Sequence, residues 1–409
     1  MRTFLGEPWR AWAALAVGVL AVTAHAASSV VLSVLMKSIA ADLGWSRSEF
    51  AAGATTRILT MTAMLPFAGQ LVDRLGARTV LTAGATTIGA CVLAISRVDS
   101  LGRFLAVSAV MGPGQACVGA VAASALVLRL FRRHRGIAVG LLNGGDNVLS
   151  AMLPPATTAL LAGVGWRATL AALGGAYLAL AAVTCATLSA GDGRARAGGG
   201  ERPPVGFRDL PWGDGRLWLV VALYAATYAW ITAIQLHFHA FQTDRGVDPA
   251  LASRLLSLYL LVGALGAPLF GWMAERTSAR TALVAVTGGL AVSSATVWRV
   301  EAPAALVAWA VFHGLVNSGV VAMLALVLEE CFGTARIGRL LGVAMVGCMA
   351  ATMLGNQAAA WIFDTTRSYL PAWRACGGLM VVATALASWL RLRGAQAAGS
   401  KRSGSRVGP

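Results

Sequence analysis

Ionisable side chains inside long apolar runs are where this chain could do chemistry, because a charge in hydrocarbon costs at least a few kcal/mol unless it is paired or faces water. Two such residues stand out, Arg57 and Asp146. Arg57 lies about nine residues from one end of the apolar run 49–72, roughly 13 Å in, and Asp146 about ten residues from one end of the run 136–163, roughly 15 Å in. In a hydrocarbon core of about 30 Å both come near the middle. A guanidinium at that depth can hold an anion, with the carboxylate as its partner or as a proton carrier. A permanent ion pair that merely orients two helices is the alternative.

Around Asp146, the residues Asn143, Asn147 and Ser150 follow i, i+3, i+4, i+7 spacing and so share one side of a helix, which must face protein or a cavity. Tyr224, Tyr228, Thr232, Gln235 and His239 fall within about an 80° arc of another helix. His237 points to the opposite side near that run's end, where a gate or a cap suits it better than substrate contact. His313 and Asn317 share a face, and His25 and Gln115 add polar options beside the break expected at Gly112-Pro113-Gly114. The candidate substrate-binding set is therefore Arg57, Asp146, Asn143, Asn147, Gln115, Tyr224, Tyr228, Gln235, His313 and Asn317. For the neutral members, hydrogen bonding between helices is the competing explanation.

These residues need apolar helices to carry them, and the composition supplies little else. Of 409 residues, 57% are hydrophobic and 12% charged, with a mean hydropathy of +0.70, more apolar surface than a water-soluble domain could hide. The charge of +16 and pI near 11.0 would suggest nucleic acid in a soluble chain. Here roughly 22 Lys/Arg fall in segments placed inside and about 10 outside, with one in a span, if the N-terminus is cytoplasmic. The basic run Arg129, Arg132, Arg133, Arg135 then reads as a cytoplasmic loop.

The apolar runs 11–36, 49–72, 79–97, 102–129, 136–163 and 167–189, then 217–241, 252–275, 279–298, 302–328, 337–363 and 370–393, predict an all-α membrane protein. Twelve transmembrane helices would form two pseudo-symmetric six-helix bundles, 1–189 and 217–393. The Gly/Pro-rich stretch 190–216 is the cytoplasmic linker, and 394–409 is a basic cytoplasmic tail. Ala24-His25-Ala26 imitates a signal cleavage site, but cutting there would leave an odd number of helices, so cleavage is not expected. The six cysteines lack metal or disulfide spacing, and most tryptophans sit near run ends as interfacial anchors. No cofactor or metal is implied. Nor is there a G-x-S-x-G, H-E-x-x-H or nucleotide-binding loop, so neither an enzyme nor an ATP-driven pump is expected.

The stretch Gly69-Gln-Leu-Val-Asp73-Arg74-Leu-Gly76-Ala-Arg78-Thr-Val-Leu81 recurs about 202 residues later as Gly271, Glu275, Arg276 and Arg280, and Gly136 and Gly140 recur as Gly338 and Gly342. The first copy resembles the signature loop between helices 2 and 3 of the major facilitator superfamily, G-x-L-x-D-R-x-G-x-R-x-x-L. The resemblance implies a secondary transporter working by alternating access, with helices 1, 4, 7 and 10 lining the path. It also implies a conformational latch made by Gly69, Asp73, Arg74, Gly76, Arg78, Glu275, Arg276 and Arg280.

Further landmarks resemble the monocarboxylate transporter and oxalate/formate antiporter branch, particularly its bacterial members. They are Gly44-Trp45-Ser46-Arg47, Phe131 with Arg133-x-Arg135-Gly136-x-Ala138-x-Gly140, His237 nine residues before Gly246, Phe363-Asp364 and Ser368-Tyr369. That branch typically carries an Arg in helix 8, which Leu261–Pro268 lacks, and Gly-Pro where this chain has Gly355-Asn356. Arg57 is the expected substitute for the missing Arg. The implied substrate is a small organic anion, a monocarboxylate above all, moved by a monomer in the plasma (inner) membrane with proton coupling or by exchange. An exporter of an amphiphilic metabolite or drug, or a transporter-like membrane sensor, is the alternative.

Overall fold

A computed structural model describes residues 3–4, 7–119, 123, 126–127, 130–131, 135–188, 210–332 and 337–390. After a two-residue ladder pairing Thr3–Phe4 with Glu7–Pro8, these residues are almost entirely helical. The first four helices are α1 (Trp9–Leu43), α2 (Arg47–Leu75), α3 (Ala77–Ile95) and α4 (Leu101–Val118). The stretch Arg135–Thr187 is broken at Gly165, whose φ of 77° interrupts the helix, into α5 (135–164) and α6 (166–187). Then come α7 (Gly215–Asp244), α8 (Pro249–Arg276), α9 (Ala279–Thr296), α10 (Pro303–Phe332), α11 (Ile337–Thr366) and α12 (Leu370–Trp389). Eight helical stretches among the described residues are long and apolar enough to cross a membrane. The longest helix outside that group is α2, which carries Arg57 within it.

The internal repeat is visible in the backbone. Helix starts at Arg47, Ala77 and Leu101 recur about 202 residues on at Pro249, Ala279 and Pro303. Left-handed backbone recurs at the same offset: Gly44 (φ 68°) matches Gly246 (φ 82°), and Gly165 (φ 77°) matches Arg367 (φ 57°). Gly76 breaks the pattern instructively. Its φ is 87°, a conformation that glycine adopts freely, whereas Ser278 at the matching position is extended (φ −168°) and caps α9 by accepting from the Thr281 amide. The degenerate second loop therefore has no use for a glycine at its corner. Gly76→Ala should lower the unfolding midpoint in detergent, by about 1–2 kcal/mol of strain, while Ser278→Gly should lose only a few tenths of a kcal/mol.

The helix ends extend a few residues past the sequence estimates in most places, but α4 departs from its expected 102–129. It runs unbroken through Gly112-Pro113-Gly114 to Val118 and is interrupted at Gly119, which turns extended (φ −65°, ψ 174°), beyond which Ala123, Leu126, Val127 and Leu130 are helical again. The glycines serve packing instead. A Cβ on Gly112 would strike the Thr60 hydroxyl and the Arg57 carbonyl, and one on Gly114 would strike Thr87, so α4 closes tightly on α2 and α3.

Two compact units emerge. One comprises Met1–Glu201, Thr232–Ala264 and Met353–Tyr369, so the ends of α7, α8 and α11 opposite the signature loop group with the N-terminal helices. Its core is continuous from Leu35, Met36 and Ile39 of α1 through Leu81 and Ile88 of α3 to Trp166 and Leu170 of α6. Ala51 and Ala54 of α2 pack with Leu236 of α7 and Ala360 of α11. The other unit comprises Arg202–Ile231, Leu265–Thr352 and Leu370–Pro409.

Candidate functional site

Arg57 sits in the middle of α2, and its side chain is 5% exposed. The guanidinium Nη1 donates to the Ser28 carbonyl of α1 at 3.3 Å, while Nε has no hydrogen-bond partner. No carboxylate lies within ion-pairing distance among the described residues, so the expected pairing with Asp146 is not formed here. Beside the guanidinium is a small cavity of about 10 Å³, room for about one water, lined by Leu32, Phe50, Gly53, Phe104, Ser108 and Leu236 among others. Phe50 stacks on Phe104 with ring centroids 5.5 Å apart, and Trp45 lies on Phe104 at 5.2 Å, so aromatic rings fill the space between Arg57 and the start of α2. Gly53 permits this, because a Cβ there would run into the Phe104 ring.

Polar groups of α1 and α4 join Arg57 through Ser28. Gln115 Nε2 donates to the Ser28 hydroxyl and, at 3.2 Å, to the His25 carbonyl, and His25 Nδ1 bonds the Gln115 carbonyl at 3.2 Å. The break at Gly119 lies one turn beyond that carbonyl. His25, Arg57 and Gln115, 90 residues apart at the extremes, thus form one connected cluster. Tyr177 of α6, which sequence reasoning does not single out, is buried near Arg57. One tyrosine in an apolar run carries no periodic signal by which to find it.

Asp146 is half-buried on α5 and accepts from Ser150 Oγ at 2.9 Å, with Thr23 of α1 beside it. That bond uses two members of the expected polar stripe. Asn147 is half-buried, and the Asn143 side chain lies outside the described residues.

In the second unit Tyr224 is buried with its hydroxyl unpartnered, and Tyr228 is buried beside it on α7. His313 of α10 is fully buried, bonded through Nδ1 to Ser293 Oγ of α9 at 2.9 Å and stacked on Trp309 at 4.7 Å. The Ser293 bond fastens α10 to α9, while Trp309 belongs to α10 itself. Asn317, one turn along α10, and Gln235 of α7 are both half-buried.

Of the expected signature-loop latch, Gly69 lies within α2, and the Asp73 side chain lies outside the described residues. Arg74, Glu275 and Arg276 are exposed, with Arg276 over the Trp272 ring at 5.1 Å. Arg78 Nη2 donates to Cys185 Sγ at 3.3 Å, and Arg280 donates to the Ser388 carbonyl. The loop 190–209, most of the basic run after α4 and the tail also lie outside the described residues.

The opposite end of α2 holds a denser assembly, a clasp. Ser46 and Glu49 form a capping box, and the next two amides turn to α11: Arg47 N donates to Asp364 Oδ1 at 3.0 Å and Ser48 N to Asp364 Oδ2 at 2.8 Å. A carboxylate gripped by two main-chain donors at a helix N-terminus is held by both charge and dipole. The Arg47 guanidinium lies 3.6 Å over the Phe363 ring, donates to the Tyr369 hydroxyl at 2.7 Å and pairs with Asp244 of α7 at 2.6 Å. Lys37 of α1 pairs with the same Asp244 at 2.9 Å. His237 of α7, fully buried, bonds the Tyr369 hydroxyl through Nδ1 at 3.0 Å and the Asn356 carbonyl through Nε2 at 3.1 Å. Some of the branch landmarks of the sequence, Ser46-Arg47, His237, Phe363-Asp364 and Tyr369, therefore meet in one place, whereas Phe131 packs on Trp12 of α1. They mark a lineage, but nothing in their spacing says that they touch.

A polar cluster around a buried cation, in a bundle with a doubled helix pattern, fits what similarity shows. The family model for the Major Facilitator Superfamily matches residues 18–248 and again 217–408. The chain belongs to the major facilitator superfamily. Superfamily relatives include bovine monocarboxylate transporter 13, 26% identical over 323 residues (77% of this chain, 74% of the relative), and mouse monocarboxylate transporter 4, 24% identical over 355 residues (83% and 74%). The Bacillus subtilis MFS-type transporter YcxA is 22% identical over 347 residues (79% and 81%). Among solved structures, a mutant of the nucleoside transporter NupG superposes with a TM-score of 0.77 at 13% identity, covering 93% of this chain and 99% of that one. An inward-facing, unoccupied bacterial homolog of the human lysosomal transporter Spinster gives 0.76 at 14% identity, covering 94% and 97%. This is a multi-pass membrane transporter of the monocarboxylate-transporter-like kind, not an enzyme, and its partners are a small-molecule substrate and the lipid bilayer.

Proposed function

We propose that the protein moves a small organic anion, a monocarboxylate, across the plasma (inner) membrane by alternating access, coupled to protons or by exchange, with Arg57 as the anion contact. The observation that carries this is the buried guanidinium of Arg57, with an unpartnered Nε and no carboxylate in reach among the described residues. An unpaired buried cation is costly to keep, and an anionic substrate arriving from water is the partner that would offset it. The monocarboxylate transporters among the relatives support the same substrate class. Gln115 and the His25–Ser28 cluster would orient the substrate. Asp146, with Asn147 beside it, would carry the proton, while Tyr224, Tyr228, Gln235 and Asn317 would be the contacts supplied by the second half of the chain. A cavity of about 10 Å³ cannot hold a carboxylic acid, so this arrangement would be an unloaded state. The excess of Lys/Arg assigned to the inner segments would set both termini and the signature loop in the cytoplasm and the clasp outside.

The test is uptake of labelled lactate, pyruvate, oxalate and larger acids by proteoliposomes, with and without an imposed pH gradient. Gradient-dependent accumulation of a monocarboxylate is the expected result, and counterflow without a gradient would mean exchange. Failure to move any acid would overturn the assignment and favour an exporter or a sensor.

A further inference from the structure

The clasp contains a hydrogen-bond chain whose direction can be read atom by atom. His237 Nε2 faces the Asn356 carbonyl at 3.1 Å, and a carbonyl has no hydrogen to give, so Nε2 carries the ring proton. Burial pushes the Tyr369 phenol well above its ordinary value, so its hydroxyl keeps its hydrogen throughout the physiological range. That hydroxyl accepts from Arg47 Nη1 at 2.7 Å and donates to the bare Nδ1 of His237 at 3.0 Å. With a neutral imidazole, every bond of the chain Arg47 to Tyr369 to His237 to Asn356 has one donor and one acceptor without turning the Tyr369 hydroxyl.

We propose that His237 makes the clasp answer to protons: the closed arrangement favours the uncharged ring, so uptake of a proton by His237 opens this end of the protein. A hydrogen on Nδ1 would force the Tyr369 hydroxyl to turn its own hydrogen off the ring and accept from both sides, and would put a second positive charge beside the Arg47 guanidinium. The charged groups around the ring do not relieve this. Arg47 comes from α2, and Asp364 of α11, the carboxylate whose charge reaches His237, has its two oxygens occupied by the Arg47 and Ser48 amides. Asp244 of α7 is shared by Arg47 and Lys37 of α1, and Glu49 of α2 is committed to the Ser46 cap. Once the clasp parts, the ring meets water and protonates near its ordinary value of about 6.5. A ligand that binds only the open state shifts the population towards it, and here that ligand is the proton. The inference rests on alternating access, but not on Arg57 or on the substrate being an acid.

Amide hydrogen exchange on the full chain in detergent tests it, read at Arg47 and Ser48, whose amides are bound to Asp364 only while the clasp is closed. After correction for intrinsic exchange, protection at these two sites should fall about tenfold between pH 7.5 and 5.5, the change expected for one group of pKa about 6.5 titrating only when open. His237→Gln should flatten the profile, and Asp364→Asn should leave both amides poorly protected at either pH. A flat profile in the unsubstituted protein overturns the proposal, as does a tenfold fall that survives His237→Gln. Should His237→Gln fail to fold, His237→Asn supplies the same control, and a flat profile in the unsubstituted chain overturns the proposal without either. A pH response in a protein that transports no acid would sink the substrate assignment and leave this inference standing.

Discussion

Arg57→Met is expected to abolish transport while raising the unfolding temperature. Methionine matches the length of the arginine stem and fills the same space, but it removes a cation that has one carbonyl contact at 3.3 Å and an idle Nε. Replacing a buried charge with an apolar side chain is often neutral or stabilising, by about 1–4 kcal/mol even where the charge was paired. The loss in flux should be at least about thirtyfold, because truncating one partner of a buried charge pair costs about 2–5 kcal/mol. Arg57→Lys keeps the charge without the planar fork and should fall between. Flux and thermal midpoint are measured on the same preparations. If the methionine variant transports normally, or unfolds more readily, Arg57 is a structural strut.

Asp364→Asn should open the clasp. The carboxylate accepts two main-chain hydrogen bonds, at 3.0 and 2.8 Å, and charge-assisted bonds of this kind contribute about 1.5–3 kcal/mol each. Asparagine offers one oxygen and turns its own N–H groups towards the second donor, so the balance should move by about 2–3 kcal/mol, roughly 30- to 150-fold. A cysteine placed at Ala54, in the apolar layer with Ala51, Leu236 and Ala360, reports the change, since a maleimide in water reaches it only when that layer parts. Labelling should speed up by a similar factor in the Asp364→Asn background. An unchanged rate would mean that other contacts keep this end shut.

The repeat, the helices and Arg57 can be read from the chain because each leaves a periodic or compositional trace. Gly76 and Ser278 show the limit of such a trace: the same position in the two halves uses different residues because one corner is left-handed and the other extended. Gly112-Pro113-Gly114 reads in sequence as a break in α4, yet the break falls at Gly119, because a proline within a packed helix is tolerated where neighbours hold the backbone and glycines are wanted for close approach. Arg57, Gln115 and His25 are each visible as polar residues in apolar runs, but the link through Ser28 is not, since main-chain carbonyls have no signature in a sequence. The clasp is legible only as scattered landmarks. The direction and depth of His237 point to a gate or a cap, whereas the chain it forms with Tyr369 and Asn356 depends on contacts more than a hundred residues apart.

The donors that grip Asp364 are peptide amides, present whatever side chains occupy positions 47 and 48. Heritable variation along α2, short of a proline, cannot delete them. Adjustment of this closure over evolutionary time must fall on its acidic half, and related chains should tolerate drift on one side of the contact far better than on the other.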